Sequence, residues 1–517
     1  MFWKRLIILA ALACIPFRGE CKPPVADNTL VWGVCTRPML INPILTTHTA
    51  SSSLLDLVFN CLVRIDANGV VVGDLARSWE ISGDGKLYTF HLRSGVKFHD
   101  GTEFTSRDAL FTFESIISPE VRSPYAFSFR NVERFEAPGP YTFVVRLKDP
   151  EPFFLQLMVR HILPAHLYRG RDIAASAFNY HPVGTGPFIF REWSADNRLT
   201  LDANPAYYEG KPALGRVVVK VYGDTREVWA ALMRSEVDFT GFISREDYEI
   251  LKTDPAFKAY RVTADYYYAL YFDVNDPVVR DLPVREAISC AINRKDLIDQ
   301  AAGGYGEKCN SLFDANAPGD PSGSDAYLPE RSRELLAQAG WQDVDGDGIL
   351  DKEGVSLEFR VLVDTRQDSL KRMLMVIRQQ LQQVGIKVRM VAYTDDTMLT
   401  PGFLADKRPQ AMLKLFFCGF DAYQQERDWS SLEKTGADKV WVYHNRDINM
   451  LFREARLSSD NRPQILRKID QIIRDERPAC FLFHPCDFHV VSSKFANTEA
   501  FFNKNMPFYL LKDWRKR

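Results

Sequence analysis

The sequence predicts an α/β fold divided into several domains, and three observations carry that prediction. Segments with a period-2 apolar pattern interleave with segments of helical spacing along the chain. A chain of 517 residues, 46% of them hydrophobic, exceeds what one core usually supports, which points to about three folding units. A Gly/Pro/Ser-rich stretch at 303–323 and a shift of composition near Asp276 mark a boundary between two such blocks.

In the first block, Thr29–Val34 reads as a strand, and residues 54–65 carry Leu54, Leu55, Val58 and Leu62 on one side of a helix. Tyr88, Phe90 and Leu92 alternate with Leu87, Thr89 and His91 ahead of Gly95, so residues 86–113 contain a predicted β-hairpin. A helix follows, because Thr105 or Ser106 with Asp108 forms a capping signal before Leu110, Phe113 and Ile117. Residues 141–147, 198–201 and 217–222 read as strands, and 226–234 as a helix.

The second block begins near Pro283 with one predicted helix over 284–298. Helix 331–340, strand 357–363, helix 371–384 ended by Gly385, and strand 386–391 come next. Residues 450–455 and 463–475 read as helices, and 480–483 and 490–491 as two short strands; no internal repeat is present.

Charge is balanced, with 65 Lys and Arg against 67 Asp and Glu, so no overall field would gather nucleic acid or an anionic membrane surface. Residues 1–20 read as an export signal: Lys4 and Arg5 precede a short apolar run over 6–13, and Ala-Leu-Ala at 11–13 supplies a small-residue cleavage site. The run is too short to span a bilayer. Cys14 follows directly, which resembles a bacterial lipobox and makes its thiol the candidate lipid attachment. Ordinary cleavage there or nearer Cys21 is the alternative, and both routes put the mature chain outside the cytoplasm, in the periplasm or anchored to the membrane as a lipoprotein. The other cysteines, Cys21, Cys35, Cys61, Cys290, Cys309, Cys418, Cys480 and Cys486, are even in number in a compartment where disulfides persist. No Cys/His group has zinc-ligand spacing.

The run LRSGVKFHDGTEFTSRDALFTFE at 92–114 resembles the signature of the family 5 extracellular solute-binding proteins, the oligopeptide- and dipeptide-binding group of ABC importers. The resemblance continues through VGTGPFIFREW at 183–193, NPAYYEGKPAL at 204–214, VREAISCAINRKDLI at 284–298 and RSRELLAQAGWQDVDGDGILDKEG at 331–354. It implies a two-lobed periplasmic binding protein (type II, large three-domain form) with the ligand cleft between lobes that close by hinge motion. Carried onto this chain, lobe I is 25–50, 184–275 and 488–517, an extra α/β domain is 51–183, and lobe II is 276–487. The implied function is that of a monomeric, non-enzymatic receptor that delivers a short peptide to ABC transporter permease subunits. An amino-acid derivative, an oligosaccharide or a nickel chelate are the family's other cargoes, and no cofactor is required.

In peptide-binding relatives a loop after a strand presents an aromatic residue, a cysteine and an Asp that grips the ligand's α-amino group. The matching segment is KLFFCGFDAYQQERDW at 414–429, which nominates Phe417, Cys418 and Asp421. Asp421 stands one residue later than the family pattern places it, and the Asp-Pro that usually follows is missing. Lys414 falls where some relatives hold an Arg that pairs with a ligand carboxylate, and Ser-Pro-Tyr-Ala at 123–126 matches a segment whose Tyr, here Tyr125, reaches the ligand. Asp265-Tyr266-Tyr267-Tyr268 resembles a strand lining the cleft, with Tyr267 or its neighbours toward ligand, although alternation must send one side into the core. Trp429 and Trp441 could stack on a ligand or pack the lobe beneath it.

Two further motifs compete for a function. Asp343, Asp345, Asp347 and Asp351 resemble half of an EF-hand loop and make calcium a candidate ion, but the twelfth position is Gly354, and the same run makes good β-turn chemistry. Ser94-Gly95-Val96-Lys97, Ser459-Asp460-Asn461 and Lys434-Thr435-Gly436 match the three motifs of serine β-lactamases, leaving a secreted serine hydrolase as a distant alternative. Their context is wrong: Ser94 lies in a predicted turn where a helix should open, and the Lys-Thr-Gly precedes the Ser-Asp-Asn.

Overall fold

The computed structural model describes residues 28–517 apart from 39, 48, 67–69, 152, 242, 313–325, 395–398, 419–425, 427, 431–442, 458–460, 504 and 505. Strand β1 (Thr29–Val34) leads to helix α1 (Thr49–Val58). The helix ends seven residues before the periodicity predicts, because the buried carboxylate of Asp74 accepts Cys61 N at 2.9 Å and Asn60 Nδ2 at 3.0 Å. A short strand, Val63–Ile65, takes over where the helix was expected.

Strands β2 (Ala76–Ile81) and β3 (Leu87–Leu92), helix α2 (Ser106–Ile117), and strands β4 (Val132–Gly139) and β5 (Thr142–Leu147) form a unit with sheet order β2-β3-β5-β4. Tyr88, Phe90 and Leu92 are the buried face of β3. The predicted hairpin after Gly95 is corrected: β3 pairs with β2 and β5, and beyond the turn only an isolated Lys97–Glu103 bridge forms. Alternation reveals a strand's faces and not its partner, which here arrives about fifty residues later. The capping signal holds, with Asp108 Oδ2 accepting Thr105 N at 2.9 Å and Oδ1 accepting Ala165 N at 2.9 Å.

Strands β6 (Phe188–Trp193), β7 (Arg198–Ala203) and β8 (Arg216–Val221), helix α3 (Thr225–Met233), strand β9 (Phe239–Thr240), helix α4 (Arg245–Leu251) and strand β10 (Phe257–Thr263) follow. Strand β11 (Tyr266–Phe272) then opens the second half, with helices α5 (Leu282–Ala291) and α6 (Arg294–Ala301) and strand β12 (Gly306–Lys308). The single helix predicted over 284–298 is thus two, broken where the Asn293 side chain caps α6 by accepting Asp296 N at 3.2 Å. Strand β13 (Glu358–Asp364), helix α7 (Asp368–Gln382), strands β14 (Lys387–Tyr393) and β15 (Ala411–Phe417), helices α8 (Arg446–Leu457) and α9 (Arg462–Glu476) and strand β16 (Ala479–Ser492) complete the frame.

The two short C-terminal strands of the prediction are one strand of 14 residues, β16. Its first half pairs with β11 and its second with β10, so it runs through both lobes of a sheet ordered β14-β13-β15-β11-β16-β9-β1-β8-β7-β6. The polar stretch around Cys486 and Asp487 hides this continuity in the sequence because it occupies the crossing between lobes. One apolar cluster joins β1, the β2–β5 unit and the C-terminal segment, while two others cover opposite faces of the second lobe's sheet.

Candidate functional site

Strand β1 runs parallel to both β8 and β9, and a cavity of about 790 Å³ opens where β1 and β9 end and the next helices begin. Ligands of open α/β sheets bind outside the carboxyl ends of parallel strands, and the volume suits a small organic molecule. Val34, Cys35 and Thr36 enter it from β1, Thr240 and Gly241 from β9, and Val228, Trp229 and Asp247 from α3 and α4. Its floor is aromatic: Trp32 stacks on Phe508 at 4.9 Å between ring centroids and lies 5.8 Å from Phe239. A Cβ on Gly33 would stand 3.0 Å from methyls of both Val228 and Val237, so glycine lets α3 close over β1. Thr240 Oγ1 donates to Gly33 O at 3.0 Å and locks the two strand ends together.

The electrostatics of this cavity are acidic. Among the described residues Asp247 is its only charged lining side chain. Burial raises the Cys35 thiol above its ordinary value, and the carboxylates of Asp224 and Glu227 add to the effect. The lobes cross nearby: Ala264 N donates to Pro485 O at 2.9 Å and Tyr266 Oη to Asp487 Oδ1 at 3.0 Å.

The profile of bacterial extracellular solute-binding proteins, family 5 Middle, matches residues 70–429, more than two thirds of the chain. The chain belongs to that family. This family 5 protein is 33% identical over 410 residues to the putative ABC transporter peptide-binding protein BOV_A0352 of Brucella ovis, covering 77% of this chain and 74% of the relative. It is 29% identical over 484 residues to the oligopeptide-binding protein AppA of Bacillus subtilis, covering 89% and 87%. NikA from Brucella suis, solved in complex with Fe(III)-EDTA, has the same fold, with a TM-score of 0.84 at 22% identity over 95% of this chain and 100% of that one. The family is one of solute receptors that act outside the cytoplasm.

Of the residues that the family pattern nominates, Asp421 and Trp441 lie outside the described residues, as does the side chain of Phe417. Tyr267, Cys418 and Trp429 come together in the second lobe, but as core. Tyr267 is 0% and Trp429 1% exposed, and both stack on Phe416, at 5.6 Å and 5.4 Å. Cys418 N donates to Asp265 O at 2.7 Å, and its buried thiol lies 3.6 Å from His484 Nδ1. Lys414 is half-buried with Nζ 5.1 Å from the Phe416 ring. Of the three tyrosines expected toward ligand, Tyr267 is corrected to core: odd positions of β11 pack under α8 and α9, as alternation allows, and Tyr266 and Tyr268 take the other face. Tyr125 stands apart from this group and spends its hydroxyl on Thr46 O at 2.6 Å, with the Arg160 guanidinium 4.0 Å over its ring.

Of these residues, none of the described ones, Lys414, Cys418, Tyr267, Trp429 and Tyr125, lines the cavity. Trp229, Asp247 and Phe508 do, and none of the three belongs to a motif in the sequence. The strand at 217–222 followed at once by a helix was a usable signal for Trp229, since ligand sites favour that junction. Phe508 arrives from the C-terminal segment and has no local signal.

The Asp/Gly loop uses its carboxylates internally. Asp343 accepts Gly346 N at 2.7 Å and Gly348 N at 3.1 Å, and Asp347 accepts Ile349 N at 2.7 Å. Carboxylate oxygens of Asp343, Asp345 and Asp351 lie within 4.8 Å of one another, and Asp347 is not of that group. Among the described residues no disulfide joins any two of the seven cysteines, five of which are buried. Ser94 lies in a turn and opens no helix, and Lys434-Thr435-Gly436 lies outside the described residues.

Proposed function

We propose that this protein is the extracytoplasmic substrate-binding component of an ABC importer, trapping a short peptide between its lobes and delivering it to the permease. The cavity at the strand ends of the first lobe carries this reading, because it combines an aromatic floor with threonine and serine hydroxyls beside the lobe crossing. A peptide offers amide groups at fixed positions, so backbone contacts supply affinity while roomy apolar walls tolerate varied side chains. The peptide-binding names of the relatives support the same cargo. Nickel chelates are less well matched, since no histidine lines the cavity among the described residues. Export through residues 1–20 and anchoring through Cys14 would hold the receptor at the membrane near its permease.

A thermal-shift screen of the mature protein, stripped of co-purified ligand, tests the cargo against di- to pentapeptides, oligosaccharides and nickel chelates. Ligand that binds only the native state raises the melting temperature. A rise with peptides supports the reading; a rise with sugars or chelates alone overturns it.

A further inference from the structure

The chemistry of the first-lobe cavity is one-sided in a way that constrains what enters it. Asp247 is half-buried, and its carboxylate has no partner among the described residues. One amide at the head of each of α3 and α4, and the Gly223 amide ahead of α3, are already occupied. Glu227 N donates to Asp224 at 2.9 Å, Gly223 N to Glu227 at 2.7 Å, and Asp247 N to Ser244 Oγ at 3.0 Å. The cations on these two helices lean on adjacent carboxylates, Arg226 on Asp224 at 2.8 Å and Arg245 on Glu246 at 2.5 Å. A ligand carboxylate entering here would lose water, find no cation among the described lining side chains and face the charge of Asp247. An aromatic or aliphatic group would instead meet Trp32, Trp229 and Phe508, and a cation at its tip would find Asp247.

We propose that this cavity is the receptor's selectivity pocket, taking an apolar or aromatic side chain that is neutral or ends in a cation, with Asp247 excluding carboxylates. The proposal rests on the peptide-receptor reading and adds which peptides are admitted.

Titration calorimetry with trialanine carrying Phe, Lys or Glu at each position in turn, on the mature protein and on Asp247→Asn, tests it. At one position the Phe and Lys peptides should bind at least about tenfold tighter than the Glu peptide. In Asp247→Asn the Glu peptide should gain and the Lys peptide lose about tenfold, with the Phe peptide unchanged. The melting temperature should move by no more than about 2 °C, because among the described residues the carboxylate accepts no hydrogen bond and contributes only its charge at the head of α4. Glu bound as well as Phe at every position, or a variant that shifts all three peptides alike, overturns the charge filter and leaves the peptide reading standing. No binding by any peptide overturns both.

Discussion

The hydroxyl of Tyr266 donates to Asp487 Oδ1 at 3.0 Å, tying the start of β11 to the middle of β16 where the chain crosses between lobes. Burial raises the Asp487 carboxyl above the ordinary aspartate range, the Tyr266 hydrogen bond opposes that, and the Asp265 charge reinforces it. The folded state therefore holds this proton more tightly than the unfolded chain does. Stability falls as pH rises from the ordinary aspartate value through the raised native one, and the cost is complete above it. Asp487→Asn keeps an acceptor for Tyr266 and removes the charge. Its melting temperature should exceed that of the natural protein by about 2 °C at pH 7 and match it near pH 3. An equal difference at both pH values would show that the carboxylate charge is not the cause.

The glycines of Val-Gly-Thr-Gly-Pro have a steric role. A Cβ on Gly184 would fall 2.0 Å from Val58 O, and one on Gly186 2.5 Å from Val58 C, so both glycines admit the end of α1 against the following strand. Gly186 N also donates to Val58 O at 2.8 Å. Gly184→Ala should cost more than about 3 kcal/mol or abolish soluble expression, since backbone cannot move aside cheaply. Gly139→Ala, with nothing within 4 Å of the added carbon, should change denaturant midpoints little.

Arg294 is 2% exposed, and its guanidinium serves backbone rather than solvent, donating to Phe481 O at 2.8 Å and Ser289 O at 3.3 Å and to Ser289 Oγ at 3.1 Å. It clamps α5 and α6 to β16 at the break between the helices. Arg294→Met removes these hydrogen bonds to buried acceptors and should lower unfolding free energy by about 1–3 kcal/mol in urea titration. A loss under 1 kcal/mol would mean that water replaces the clamp.

The break at Asn293 also shows what a local pattern conveys. Apolar spacing runs unbroken over 284–298, so the sequence looks like one helix, and only the burial of Arg294 against a strand nearly two hundred residues away requires two. The buried face of β3 and the Thr105–Asp108 cap were legible because each is decided within a few residues. The site divides the same way. The turn from β8 into α3 could be read locally, whereas Phe508 meets Trp32 only through the tertiary fold, and three consecutive tyrosines do not say which of them is core.

The Arg462 guanidinium lies 3.7 Å over the ring of Phe153, joining the head of α9 in the second lobe to the segment that follows β5. Any hinge motion that separates the lobes must break this contact, so it favours the closed form, and a cation–π pair shielded from water contributes about 1–2 kcal/mol. A ligand that binds the closed state then gains apparent affinity from it, because less of its own binding energy is needed to shift the population. Phe153→Leu keeps an apolar side chain and removes the π face. It should raise the Kd of the best peptide by about fivefold to thirtyfold through faster dissociation, and should enlarge the radius of gyration of the unliganded protein in small-angle scattering. An unchanged dissociation rate would mean that the pair forms only a passive contact and that closure is governed at the Tyr266–Asp487 side.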